Sequence, residues 1–129
     1  MTNQEVFNNL GQLGSVVMLA SMVAGVDGNI EDSELEAVGN SFARFASDEA
    51  DNVENFRRIW GNVMQAHQDL GDFKGKLDFA VNVLTHFKEI FDEDTRRSML
   101  VEFSKVAMAD GELHDQEAQL LGIYTKFLM

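Results

Sequence analysis

Apolar residues recur along nearly the whole chain at intervals of three and four, the spacing of one helix face. No segment shows the strict alternation of a half-buried strand. The first stripe is Val6, Leu10, Leu13, Val17, Ala20 and Ala24, widened by Val16, Leu19 and Val23. So broad an apolar surface predicts a central helix over about 3–26, opened by Thr2 with Glu5 three residues on, as in a capping box. Gly11, Gly14, Ser21 and Gly25 form a small-residue side where another helix can come close. A second helix is expected over 33–46, with Leu35, Val38, Phe42 and Phe45 inward. A third begins near Asp51 and carries Val53, Phe56, Trp60, Val63, His67 and Leu70. The fourth, 73–91, has Leu77, Ala80, Leu84 and Phe87 on one face and Phe79, Val83 and Ile90 on another. Asp92, Glu93 and Asp94 end it and cap a fifth over 95–109, through Met99, Phe103 and Val106. The sixth, 116–128, presents Leu120, Leu121, Tyr124 and Phe127. The pattern predicts an all-α fold, a compact bundle of about six helices, as one domain over residues 1–129.

Composition narrows the function classes. The 129 residues include 10 Lys and Arg against 22 Asp and Glu, a net charge of −12, yet 45% of the chain is hydrophobic and ten residues are Phe. That is a foldable core and not a disordered acidic tail. The acidic balance excludes nucleic acid as a partner, because Arg57–Arg58 and Arg96–Arg97 do not extend into a basic patch. Zero cysteines exclude disulfides, a Cys nucleophile, Cys-ligated zinc and iron–sulfur clusters, and zero prolines favour long helices. The longest apolar stretch, 13–26, is interrupted by Gly14, Ser15 and Ser21 and reads as too short to span a bilayer. Its N-terminal flank is acidic, without the basic start of a signal peptide. The expected location is cytoplasmic.

One repeat stands out. VAGVDGNIEDSE, from Val23 to Glu34, matches VAMADGELHDQE, from Val106 to Glu117, at an offset of 83 residues, with six of twelve positions identical. Each copy follows an apolar helix and precedes another, so the chain holds two quasi-repeated helix–loop–helix units, about 3–46 and 95–128. The shared pattern D-G-x-[I/L]-x-D-x-E overlaps the second half of an EF-hand loop. A complete EF-hand is excluded: its first and third ligand positions are Val23 and Gly25 in one copy, Val106 and Met108 in the other.

Two readings of the motif stand side by side. As connectors, Gly28 and Gly111 end helices, Ile30 and Leu113 plug onto the core, and Asp32 and Asp115 are N-caps. Glu34 and Glu117 then sit in first turns, where the helix dipole favours carboxylates. As a metal site, Asp27, Glu34, Asp110 and Glu117 are the primary ligands, with Asp32, Asp115 and His114 behind them. Crowded carboxylates must spread into water, protonate or recruit a cation. Oxygen donors suit calcium, magnesium or manganese, and His114 admits zinc.

The doubled motif resembles that of the TerB-like family, associated with bacterial tellurite resistance, a related domain of which begins the DjlA membrane-anchored co-chaperones. The resemblance covers most of the chain. It implies a helical domain in a stress-response system, with a metal-binding or interaction role at the acidic motif and no catalysis. It further implies partners among other stress-response proteins at the cytoplasmic membrane face, and leaves a homodimer open. Gly25-Val26 before Asp27 departs from the more family-like Met108-Ala109 before Asp110. The competing class is a protein-interaction adaptor, in which the acidic face docks a basic partner.

Other constellations are weaker. His67 lies on an apolar stripe and reads as a hydrogen-bonded boundary residue, and His86 with Glu89 lacks the partner motif of a di-iron site. No nucleophile elbow or phosphate loop occurs. Met18, Met22, Met64 and Met99 read as packing.

Overall fold

Residues 2–25, 35–40, 52–109 and 115–129 are described by the computed structural model, with the side chains of 52–55 left aside. Among them every regular element is helical: α1 (Asn3–Ala24), α2 (35–40), α3 (Asn52–Leu70), α4 (Phe73–Ile90), α5 (Glu93–Ala107) and α6 (Asp115–Leu128). The all-α bundle of six helices expected from the spacing is the observed fold. α1 is its axis, packing against α3, α4, α5 and α6, while α6 also packs on α4 and α5. From Gly14 to Ala24 every residue of α1 is buried, which is why its apolar surface is so wide.

α1 is long and apolar enough, by length and composition, to cross a membrane, which corrects the reading of 13–26 as too short. About two thirds of its most apolar window (67%) is covered by the other helices, so this hydrophobicity is spent on the core. The small-residue side meets α3. A Cβ on Gly14 would lie 3.9 Å from Ile59, and Ser21 reaches His67 at 2.9 Å.

The Ser21–His67 pair is the polar link in this interface. Ser21 has one hydroxyl proton and donates it to the Met18 carbonyl at 2.7 Å, so His67 Nε2 carries the proton that bridges to Ser21. His67 is buried and hydrogen-bonded, somewhat deeper than the boundary position its stripe predicts. Ser21→Ala removes the acceptor inside the core and is expected to cost about 1–2 kcal/mol in urea unfolding. An unchanged midpoint would show that the histidine finds an equal partner elsewhere.

Helix ends follow local chemistry. Thr2 caps α1 by accepting from the Glu5 N–H at 3.2 Å, and its hydroxyl donates to the Glu5 carboxylate at 3.1 Å. Asp72 caps α4 through the Gly75 N–H at 3.0 Å. Asp92 caps α5 as expected, although the helix begins two residues earlier than predicted. Hydrogen bonding with the Thr95 side chain, then with its N–H, and the charge of Arg96 hold the Asp92 carboxyl below its ordinary value. Arg96 also donates to the Leu128 carbonyl and so closes the end of α6.

The core departs from the predicted stripes at particular positions. Ile90, assigned to a second buried face, is 42% exposed at the last turn of α4. Ile59, absent from the predicted stripe of α3, is buried. Met18, Met22 and Met99 are fully packed, and Met64 lies against the core.

Candidate functional site

Each acidic motif joins the end of one helix to the start of the next. Val23 and Ala24 close α1, and Val106 and Ala107 close α5, and all four are buried. The repeated Val-Ala pair is therefore the point where a core helix leaves the core. Gly25 and Met108 follow as C-caps, their N–H groups donating to Ser21 and Ser104 respectively. Of the predicted ligands, Asp27, Asp32, Glu34, Asp110 and His114 lie outside the described residues, as do Gly28, Ile30, Gly111 and Leu113.

Asp115 and Glu117 are described and differ sharply. Asp115 is the first residue of α6 and is exposed, one position inside the helix where an N-cap was expected. Glu117, two residues on, is only 4% exposed. Glu117, Leu120 and Tyr124 are three and seven residues apart on one face, so the helix period turns the carboxylate inward. A carboxylate at that depth is held by a partner, and Glu117 is not without one. Among the described residues no three His, Asp or Glu side chains gather to hold a metal, and His86 with Glu89 belongs to that exclusion.

Three buried residues outside the acidic motifs complete the picture: Glu102 and Lys76 were not singled out by the sequence pattern, whereas Tyr124 was expected on the inward stripe of the sixth helix. Glu102 on α5 is 5% exposed and Lys76 on α4 is 4% exposed, both with partners. Lys105 reaches Glu102 at 3.2 Å from a largely exposed position. Their signal was present: Glu102 lies three residues after Met99 and four before Val106, and Lys76 lies four before Ala80, so both sit on core faces. The third is Tyr124. Its ring packs edge-on against Phe103 at 5.2 Å, and its hydroxyl donates to the Leu19 carbonyl at 2.8 Å. Leu19 and Phe103 lie about one turn before the two motifs begin, so a single side chain of α6 joins both motif-bearing helices.

These features define a small acidic all-helical bundle in which each copy of the acidic sequence motif follows the buried end of a core helix. The family of tellurite resistance protein TerB matches residues 13–128, nearly the whole chain, and the protein belongs to that family. No curated protein and no solved structure matches the chain.

Proposed function

We propose that this protein is a non-catalytic bacterial stress-response module that binds a divalent cation through its doubled acidic motif. The observation that carries the reading is the duplication itself: identical Asp, Gly, Asp and Glu positions recur at both places where a core helix ends. Asp27, Glu34, Asp110 and Glu117 are the proposed ligands, with Asp32 and Asp115 as supporting acids and His114 as the nitrogen donor a zinc site would use. Membership of the tellurite resistance family supports a stress role. A cytoplasmic location and stress-response partners at the cytoplasmic membrane face belong to the same proposal.

The test is thermal unfolding of chelator-stripped protein with calcium, magnesium, manganese or zinc added singly. A cation that binds only the folded state at 100 times its Kd adds about 2.7 kcal/mol, which is a rise of several degrees for a chain of this size. The rise is expected with one ion and is expected to vanish in Asp27→Asn/Asp110→Asn and to shrink in Glu117→Gln. No rise at millimolar concentration of any ion would leave the adaptor reading, with the motifs as helix connectors and the acidic face as a dock for a basic protein.

A further inference from the structure

The first two turns of α1 do not continue the core helix directly. Gly11 sits at φ 72°, ψ −178°, a conformation essentially confined to glycine, and the helix kinks there. The segment before the kink, Asn3–Leu10, is a capped unit of its own through Thr2 and Glu5. It lies across α3 and α4 as an arm. Val6 and Leu10 are 2% and 7% exposed, and Phe7 packs edge-on against His86 of α4 at 5.4 Å.

The arm is seated without filling its bed. Between it and α4 is a cavity of about 470 Å³, floored by Phe7, Phe79 and Val83. Between it and α3 is a second of about 200 Å³, beside Val6, Leu10 and Ala66. Both are clefts open to solvent, so water already reaches the two edges of this short segment. The tellurite resistance family match begins at residue 13, so the arm and its hinge precede the shared part of the fold.

We infer that Asn3–Leu10 is an exchangeable arm, and that the groove between α3 and α4 takes the same arm from a second copy of this chain. The groove's occupant is already defined by the fold: Val6, Phe7 and Leu10 on one helical face. Another copy supplies that face identically, so exchange replaces every contact without new chemistry. Gly11 decides between the two states. With positive φ the arm folds back on its own chain; with helical φ α1 runs straight and projects the arm outward, where only a second groove can cover it.

Gly11→Ala tests this directly, because nothing lies within 4 Å of an added Cβ and only the backbone preference changes. The variant is expected to sediment at the mass of two chains and the wild type at the mass of one, in about 0.5 M salt so that the charge of −12 on each copy is screened. Adding Val6→Asp, which spoils the arm for either groove, is expected to return it to a monomer of unchanged helicity. A Gly11→Ala variant that stays monomeric, or a dimer that survives Val6→Asp, overturns the proposal. Should Gly11→Ala fail to fold, native-state hydrogen exchange on the wild type decides. Amides of Phe7–Leu10 are expected to exchange roughly tenfold or more faster than those of Met18–Val23, through a separate opening. Equal protection of the two segments would sink the exchangeable arm.

Discussion

Truncation of Tyr124 to alanine is expected to lower the unfolding free energy by about 3–5 kcal/mol, the usual range for emptying a large buried aromatic site. The side chain is fully buried where α1, α5 and α6 meet, so the void would open between three helices that are each held by their own packing. Tyr124→Phe separates the hydroxyl from the ring. It removes only the bond to the Leu19 carbonyl and is expected to cost about 1 kcal/mol. Equal losses in the two variants, measured by urea unfolding, would show that the ring is not the joint described above.

The same residue makes an alkaline prediction. Burial pushes the Tyr124 phenol well above its ordinary value, because the ionised form would lose its hydration. An unfolded tyrosine releases its proton near pH 10, whereas the folded one keeps it. Above that pH the native state binds more protons than the unfolded state, so stability falls as pH rises; below it the contribution is complete. Tyr124 is the only tyrosine in the chain, so tyrosinate absorbance reports this residue alone. It is expected to appear together with unfolding and not before it. Tyr124→Phe is expected to lose less stability than wild type between pH 8 and pH 10.5, and parallel losses would contradict the assignment.

Gly75→Ala carries the second large effect, and its sign opposes the simple helix rule. Alanine in a helix normally gains about 1 kcal/mol over glycine. Here a Cβ would collide with the Leu70 carbonyl oxygen, the last carbonyl of α3. Gly71, at φ 77°, turns the chain so tightly that the end of α3 faces the start of α4. Both the blocking oxygen and the new carbon are fixed to backbone, so no side chain can swing away. The helix start must shift, weakening the Asp72 cap on the Gly75 N–H, and the net loss is expected at about 2–3 kcal/mol in urea unfolding. A variant as stable as wild type would mean that the α3–α4 turn relaxes freely.

The position of the acidic motifs after core helices was legible in the sequence, and the surroundings of their described side chains only in part. The duplication at an offset of 83 residues pointed to the tellurite resistance family, and the family match over residues 13–128 bears that out. Glu117 was chosen from the motif, and its inward orientation follows from the period it shares with Leu120 and Tyr124. Glu102 and Lys76 escaped because charge was read as exposure, although their spacing from Met99 and Ala80 places them on core faces. Ile90 erred in the opposite direction, since periodicity cannot tell whether a neighbouring helix extends as far as the last turn.

What the sequence by itself determined is local. Six helices, their Thr2 and Asp92 caps, the apolar breadth of α1 and the acidic repeat all follow from spacing, propensity and capping among residues near in the chain. What only the tertiary structure decided depends on residues far apart. Tyr124 meets Leu19 across 105 positions, and Ser21 meets His67 across 46. The roles of the glycines are also tertiary. Gly14 faces Ile59, Gly11 turns the arm onto α4 and Gly75 clears a carbonyl, yet a glycine is the same symbol in all three places. A side chain's chemistry is encoded at its own position, whereas the space around it is set by whichever helix arrives there.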